Sequence, residues 1–378
     1  MAVKVSHFTI KSENWYKLSV NRRVLVLCGG RSAERDVSLV SARTVVAALG
    51  RRYRVDVVAI DARGRWRLAS PELLSARVSE TGGRFDRCRV LEGPARFAPK
   101  GRRADVVFPV LHGPLGEDGT MQGLLEVEGI PYVGCGVLGS SVGMDKEYTK
   151  IAAERADLPI LPWGVIRDPR AAGALARRLG YPVFAKPARM GSSVGVSKVK
   201  KPAELAAAIK LALRYDDKAI LEKGVAAREI ETAVLGDPWA GASGPLALRA
   251  SICGEIVPSS NYEFYDYRSK YLDPNGSSLA MPAPITKAQS DEVRSLASRA
   301  FRALDCYGMG RVDFLMDKKS GKIYFNEINT IPGFTAMSMY PLLWKESGLP
   351  IERLVDRLIV LALRRQKLRA RISIAPGA

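Results

Sequence analysis

Two carboxylates and an amide near the end of the chain are the first residues whose spacing suggests chemistry. Glu327 and Asn329 lie two positions apart in "YFNEIN", and Asp313 lies in the preceding apolar stretch "GRVDFLMD". Both stretches are typical of strands, and "KKSG" between them is typical of a turn. Centring the turn on Ser320 places Asp313 opposite Glu327 and Arg311 opposite Asn329. All four side chains then lie on one face of a hairpin.

This face has the composition of a metal or ion-pair site. Two facing carboxylates repel each other unless a cation or a proton lies between them. Oxygen atoms of Asp, Glu and Asn suit Mg²⁺, which takes few protein ligands and completes its shell with phosphate oxygens. An ion network in which Arg311 neutralises both acids is the alternative, and the hairpin alone does not decide. The same register pairs Leu315 with Phe325 as an apolar patch closer to the turn.

A glycine- and serine-rich loop could hold phosphate. The stretch "KPARMGSSVGVSKV" places this loop between two strand-like segments. Free backbone N–H groups and the hydroxyls of Ser192 and Ser193 would face a phosphate. Lys186 precedes the loop, and Lys146 opens the helix-like stretch "MDKEYTK". A simple hairpin turn is the alternative, because Gly and Ser also favour turns. The stretch "GCGVLG" matches GxGxxG, but this signal is weak and we interpret it as a turn.

The elements that must position these residues alternate between strand and helix near the start of the chain. "RRVLVLCGGRSAERDVSLVSARTVVAAL" reads as strand, turn and helix, and two further strand-like stretches follow. This order predicts a parallel α/β sheet, with ligands at the carboxyl ends of its strands, where Glu34 and His112 fall. Later segments mix helices with hairpins, so the chain is α+β overall. The predicted divisions are an extension at 1–21, domains at 22–134, 135–223 and 224–365, and a basic tail at 366–378.

Composition limits the class of protein. The chain has 378 residues, 47% of them hydrophobic, and its start lacks the apolar core of a signal peptide. It has no apolar run of about 18 residues, so we expect no membrane partner. Five cysteines without a CxxC pair indicate a reducing cytoplasm. The net charge of +19 is scattered and accompanies no nucleic-acid-binding motif, so we expect a solvated basic surface and no nucleic acid.

Eight short stretches in chain order resemble the D-alanine–D-alanine ligases, which are ATP-grasp enzymes. They are "GGRSAERDVSL", "HGPLGEDGTMQG", "MDKEYTK", "KPARMGSSVG", "EKGVAAREIETAVLG", "FYDYRSKY", "GRVDF" and "NEINTIPGFTAMSMYP". The resemblance implies a three-domain ATP-grasp fold, with ATP between the central and C-terminal domains. It also implies two Mg²⁺ (or Mn²⁺) ions, a homodimer, and a role in making peptidoglycan precursors in the cytoplasm.

The resemblance further implies a role for individual residues. The residues expected at ATP are Lys146, Lys186, Ser193, Glu222, Lys223, Val225, Glu229, Leu315 and Phe325. The expected metal ligands are Asp313, Glu327 and Asn329, with Glu327 bridging the two ions. The expected catalytic residues are a hydrogen-bonded triad of Glu34, Ser192 and Tyr271, with Arg311 and the N–H of Gly333 at the oxyanion. The residues expected at the two D-alanine substrates are Glu34, His112, Lys270, Ser338 and Met339.

The implied reaction has two steps. The carboxylate of the first D-Ala attacks the γ-phosphate of ATP, and the amine of the second D-Ala then attacks the resulting acyl phosphate. Relatives that make D-alanyl-D-lactate lack the tyrosine at the position of Tyr271, so its presence favours D-Ala-D-Ala as product. The alternatives are a ligase that accepts D-lactate or D-serine and, more distantly, a non-catalytic nucleotide- or RNA-binding protein.

Overall fold

The first sheet of the protein positions Glu34 and His112. The computed structural model describes residues 21–75, 87–241, 244–259 and 276–373. The sheet order is β4-β3-β2-β1-β5, with β1 parallel to β2 and β5. Its strands are β1 (Arg23–Gly29), β2 (Arg54–Ile60), β3 (Trp66–Ala69), β4 (Val90–Leu91) and β5 (Val106–Pro109). Its helices are α1 (Arg35–Leu49) and α2 (Thr120–Val127).

The predicted parallel arrangement is confirmed for the three strands β2, β1 and β5 only. The strands β3 and β4 are antiparallel to their neighbours. The connection from β2 to β3 spans only residues 61–65, and a turn this short can join only antiparallel strands. Asp61 holds this turn by accepting the backbone N–H groups of Arg63 and Arg65, each at 2.9 Å.

The second sheet carries the glycine- and serine-rich loop. Its order is β6-β9-β7-β8, and every pairing is antiparallel. Its strands are β6 (Trp163–Ile166), β7 (Val183–Pro187), β8 (Ser197–Val199) and β9 (Ala219–Lys223). The helices of this region are α3 (Val137–Met144), α4 (Lys146–Arg155), α5 (Ala172–Leu179) and α6 (Pro202–Ala212). Helix α3 begins at Val137, inside the motif "GCGVLG", so only the first three residues of the motif precede the helix.

The third sheet contains the predicted hairpin. Its order is β12-β11-β10-β13-β14, and all neighbours are antiparallel. Its strands are β10 (Ala227–Gly236), β11 (Arg249–Pro258), β12 (Ser277–Ala280), β13 (Gly308–Asp317) and β14 (Ile323–Asn329). The helices are α7 (Lys287–Ala303), α8 (Met339–Glu346) and α9 (Ile351–Arg369). Apolar residues of α7, such as Val293 and Phe301, share a core with Val312 and Phe314 of β13.

Helix α9 returns to the first sheet and carries two arginines that hold it in place. The guanidinium of Arg365 stacks 4.1 Å from the ring centre of Tyr132 and donates to the carbonyl oxygen of Gly134 at 2.5 Å. Arg364 pairs with the buried Asp237 at 2.8 Å. Arg365 therefore fastens the end of the chain to the segment that leaves the first sheet, and Arg364 fastens it to the residue that follows β10. No helix among the described residues is long and apolar enough to cross a membrane.

Candidate active site

The hairpin brings the predicted acids together at a cavity. Asp313 pairs with Glu327 and Arg311 with Asn329, so both predicted cross-strand pairs are confirmed. Asp313 and Glu327 line a cavity of about 390 Å³ whose other walls come from the second sheet and its loop. Side-chain exposure is 13% for Asp313 and 29% for Glu327, so both carboxylates can reach a ligand in the cavity.

Closer to the turn the predicted register is wrong. The pairing shifts by one residue after Asp313, so that Phe314 lies opposite Phe325 and Leu315 opposite Tyr324. Asn326 is the extra residue of this β-bulge, and one inserted residue moves every later side chain to the other face. Phe325 is therefore 1% exposed in the core, with its ring edge-on to Phe314 at 6.1 Å between centres. Of the predicted pair, only Leu315 is among the residues that line the cavity.

The bulge leads to a paired prediction. Phe325→Ala should lower the free energy of unfolding by about 3 kcal/mol, because it leaves a hole in a packed core. It should leave nucleotide affinity nearly unchanged. Leu315→Ala should show the reverse, a smaller loss of stability and weaker nucleotide binding. Urea unfolding and ADP titration of both variants test this. Equal losses of ADP affinity would show that Phe325 shares the cavity face with Leu315, as the sequence predicted.

Protein cations and donors surround the acids. Arg311 donates to both oxygens of Asp313 at 2.8 and 2.7 Å, and its Nε lies 2.9 Å from Glu231 Oε2. Burial opposes the charge of Arg311, but Asp313 and Glu231 outweigh it and hold its pKa well above the usual value. Asn329 Nδ2 donates to Asp313 at 3.0 Å, and Lys146 Nζ lies 3.6 Å from Glu327. Of the ion network considered from the sequence, the pairing of Arg311 with Asp313 is present, and Arg311 is paired in addition with Glu231.

The same residues fit a hard divalent cation by their chemistry. Two adjacent carboxylates, Asp313 and Glu327, face a cavity large enough for phosphate oxygens to complete the shell. The amide of Asn329 is not among the residues that line the cavity, but it lies beside Asp313, to which it donates. Among the described residues no three His, Cys, Asp or Glu side chains gather as ligands. The arrangement therefore suits Mg²⁺ bound together with a phosphorylated ligand.

The glycine- and serine-rich loop reaches the cavity from the second sheet. Ser192 and Ser193 adopt φ angles of 53° and 57°, in the left-handed region. Ser193 lines the cavity, and Ser192 Oγ donates to Glu34 Oε1 of the first domain. Lys146 Nζ donates to the carbonyl oxygen of Met190 at 2.8 Å. The loop therefore touches both the nucleotide-sized cavity and the first domain, as the predicted contact between Glu34 and Ser192 requires.

A buried carboxylate with two lysines lies at the back of the cavity. Lys186 Nζ lies 2.5 Å from Glu222 Oε2, and Lys150 Nζ donates to Glu222 Oε1. Burial opposes the charge of Glu222, but Lys150 and Lys186 outweigh it and lower its pKa to about 2. Sequence reasoning missed Lys150, although its position four residues after Lys146 puts the two on one helix face.

The remaining predicted ATP residues occupy the cavity wall. Lys223, Val225 and Glu229 all line it. The ammonium of Lys223 donates to the carbonyl oxygens of Gly180 at 2.8 Å and Tyr181 at 3.3 Å, so its side chain is fastened to a neighbouring loop.

His112 holds the segment that carries Gly333. Its Nδ1 lies 2.9 Å from the carbonyl oxygen of Ile331 and its Nε2 lies 3.1 Å from Ser41 Oγ. Burial lowers the pKa of His112, so the ring is neutral and Nδ1 carries the proton, because a carbonyl oxygen can only accept. Ser41 Oγ in turn accepts the N–H of Phe334 at 3.1 Å. Sequence reasoning missed Ser41, which lies on α1.

Glu117 fastens the same segment from the other side. It accepts the N–H of Gly113 at 3.0 Å and that of Ile331 at 3.2 Å. Burial and the negative charge of Glu34 nevertheless raise the pKa of Glu117 to about 8. First-domain side chains therefore hold the Ile331–Phe334 turn at two points.

The raised pKa of Glu117 predicts a pH dependence of stability. Its unfolded pKa is about 4.3, so the proton bound in the folded state stabilises the protein below that pH. This contribution is lost as the pH rises to about 8, by at most about 1.4 kcal/mol per pH unit. Urea unfolding between pH 5.5 and 8 should show a steeper decline for the wild type than for Glu117→Gln. Parallel declines of stability with pH in the two proteins would contradict the raised pKa of Glu117.

The predicted second-substrate residues lie at the start of α8. Ser338 precedes this helix, and its Oγ accepts the N–H of Thr335 at 3.0 Å. Met339 is the first residue of the helix, where a backbone N–H has no intrahelical acceptor, and its side chain is buried. Lys270 and Tyr271 fall within residues 260–275, outside the described residues.

The fold and the site define the class of protein. Two antiparallel sheets that enclose a cavity, with lysines on one side and acids on the other, form an ATP-grasp fold. The family model "D-ala D-ala ligase N-terminus" matches residues 23–135, and "D-ala D-ala ligase C-terminus" matches residues 152–360. The chain belongs to the D-alanine–D-alanine ligase family and is a ligase.

Individual relatives agree with this assignment. The D-alanine–D-alanine ligase of Heliobacterium modesticaldum is 47% identical over 92% of this chain and 96% of its own. That of Deinococcus radiodurans is 44% identical over 91% of this chain and 99% of its own. The solved D-alanine-D-alanine ligase of Coxiella burnetii gives a TM-score of 0.80 at 35% identity, covering 93% and 97% of the two chains. A D-Ala:D-Ser ligase from Enterococcus faecalis gives 0.77 at 34% identity, covering 90% and 99%.

Proposed function

We propose that this protein joins two D-alanine molecules into D-alanyl-D-alanine while ATP becomes ADP and phosphate. The observation that carries the proposal is the cavity shared by Asp313, Glu327, Lys146 and Lys186. Phosphoryl transfer is largely a matter of positioning and charge neutralisation, and these side chains supply both. The curated relatives named above are D-alanine–D-alanine ligases, which supports this choice of substrate.

The metal would be held by Asp313, Glu327 and Asn329. When bound, Mg²⁺ would neutralise charge on the phosphate oxygens of ATP. Asp313 accepts two hydrogen bonds from Arg311 and one from Asn329, and a carboxylate has about four acceptor positions, so one would remain for the ion. Arg311 also lies 2.9 Å from Glu231.

Lys146 and Lys186 would orient the phosphates beneath the loop that carries Ser193, and Glu229 would hold the ribose. The carboxylate oxygen of the first D-Ala then attacks the γ-phosphorus, the bond to ADP breaks, and an acyl phosphate forms. Glu34 would bind the ammonium group of this D-Ala. The neutral His112 keeps the Ile331–Phe334 turn beside it.

In the second step the amine of the second D-Ala attacks the acyl carbonyl, phosphate leaves, and the new peptide nitrogen loses a proton. Arg311 and the N–H of Gly333 would stabilise the negative charge that develops on the carbonyl oxygen. Ser338 and the N–H of Met339 would bind the carboxylate of the second D-Ala, with Lys270 beside them. Tyr271 would complete the triad with Glu34 and Ser192.

We further infer a cytoplasmic homodimer with no nucleic-acid partner. All five cysteines are free, which suits a reducing compartment.

The three sheets fall one each within 22–134, 135–223 and 224–365, which supports the proposed division into domains.

A mass-spectrometric product assay tests the proposal. Purified protein, ATP and Mg²⁺ are mixed with D-Ala, alone and in competition with D-lactate and D-serine. One D-Ala-D-Ala formed per ADP is the expected result. If ADP forms together with a mixed product, the proposed first step stands, but the acceptor is not D-Ala. The Enterococcus faecalis relative is named as a ligase of that kind, for D-Ala and D-Ser. If no ADP forms, the proposed reaction is wrong.

A further inference from the structure

Two lysines share one buried carboxylate, but only one of them faces the cavity. Glu222 and Lys186 line the cavity, whereas the side chain of Lys150 is 1% exposed and lies behind them. Lys150 therefore cannot touch a nucleotide, and any effect it has on the reaction passes through Glu222. The inference below rests on the proposed function, because it concerns how ATP is bound.

The charges explain why one lysine would not be enough. Lys186 Nζ lies 2.5 Å from Glu222, so its charge is already paired before a nucleotide arrives. If Lys186 turned towards phosphate, a buried Glu222 without another cation would be left unpaired, which is strongly unfavourable. Lys150 bonds the other carboxylate oxygen, so the group keeps a partner. One carboxylate and two ammonium groups leave one positive charge for the phosphates.

We propose that Lys150 is a positioning residue that retains Glu222 as its ion pair and thereby releases Lys186 to bind the phosphates of ATP. Lys150 stays in place throughout, and only Lys186 changes partner. Nucleotides with phosphates depend on this exchange, whereas adenosine does not require Lys186 to leave Glu222.

Lys150→Met tests the proposal by removing the charge at similar volume. Calorimetric titration should show ADP and ATP binding about tenfold or more weaker, a difference of about 1.4 kcal/mol per factor of ten. Inhibition of the reaction by adenosine should be unchanged. Lys218→Met is the matched control, because Lys218 is also buried and paired, with Asp145 at 2.7 Å and Glu147 at 2.5 Å, but does not line the cavity. It should lower the melting temperature without weakening ADP binding.

A double-mutant cycle separates positioning from a purely structural role. With Glu222→Gln there is no buried carboxylate to neutralise, so adding Lys150→Met should then change ADP affinity less than twofold. An equal loss in both backgrounds, or no loss in the single variant, would overturn the proposal. If Lys150→Met alone fails to fold, Lys150→Gln, which keeps a hydrogen-bond donor for Glu222 but no charge, takes its place in the cycle. A wild-type protein that binds neither ADP nor ATP would instead overturn the proposed function.

Discussion

Glu327→Gln should reduce ADP formation by about 10³-fold or more while the protein remains folded. A bound metal ion supplies several kcal/mol of charge stabilisation during phosphoryl transfer, and each 1.4 kcal/mol is worth about tenfold in rate. The amide of Gln removes the negative charge that faces Asp313 across the hairpin and leaves a weaker ligand. Stability should change little, because Glu327 is 29% exposed and the ammonium of Lys146 lies 3.6 Å from its carboxylate.

A coupled assay of ADP release at increasing Mg²⁺ measures this effect. Glu255→Gln is the control, since Glu255 lies in the same sheet and lines the same cavity but is paired with Arg228 at 2.6 Å. The control should keep its Mg²⁺ dependence. Turnover of Glu327→Gln with wild-type Mg²⁺ dependence would show that the facing acids form an ion network and do not bind metal.

The hairpin shows how far sequence reasoning reaches. The turn is centred between Lys319 and Ser320, half a residue before the predicted centre, and the extra residue Asn326 offsets this difference at the acids. Both cross-strand pairs at the acids are therefore as predicted, whereas the pairs closer to the turn are shifted by one residue. Asn326 lies directly beside Glu327, so the bulge changes which side chains share the cavity face with the acids.

The partners missed by the sequence lie far away along the chain. Lys150 and Glu222 are 72 positions apart, and Glu117 and Ile331 are 214 apart. Such contacts follow from how the sheets pack against each other, which no local pattern encodes. Short motifs do place the groups that would touch substrate, because those groups sit at strand ends and loop turns with recognisable spacing.

The unexplained charge of the sequence illustrates the same limit. Arg364 and Arg365 near the end of the chain bind a buried acid and a main-chain segment more than 120 residues earlier. These contacts depend on how α9 packs against other parts of the fold, which no local pattern encodes. Local patterns therefore identified the chemistry of this chain better than they identified what holds its domains together.

Arg311→Lys should lower the rate of dipeptide formation by about 10²- to 10³-fold, the range expected when one oxyanion donor is lost. The guanidinium binds both oxygens of Asp313 and also lies 2.9 Å from Glu231, so its orientation is fixed. An ammonium group is a point charge with three donors and cannot keep this planar arrangement. Both acids still face a cation in this variant, so it should fold, whereas Arg311→Met would remove the cation that they share.

Single-turnover kinetics separate the two steps of the reaction for this variant. Because Arg311 is proposed to act on the tetrahedral oxyanion, Arg311→Lys should still produce a burst of ADP while D-Ala-D-Ala appears slowly. Loss of the burst would instead assign Arg311 to the transfer of the γ-phosphate. If Arg311→Lys forms dipeptide at the wild-type rate, Arg311 takes part in neither step. Its role is then limited to pairing with Asp313 and Glu231. The oxyanion would then depend on the N–H of Gly333.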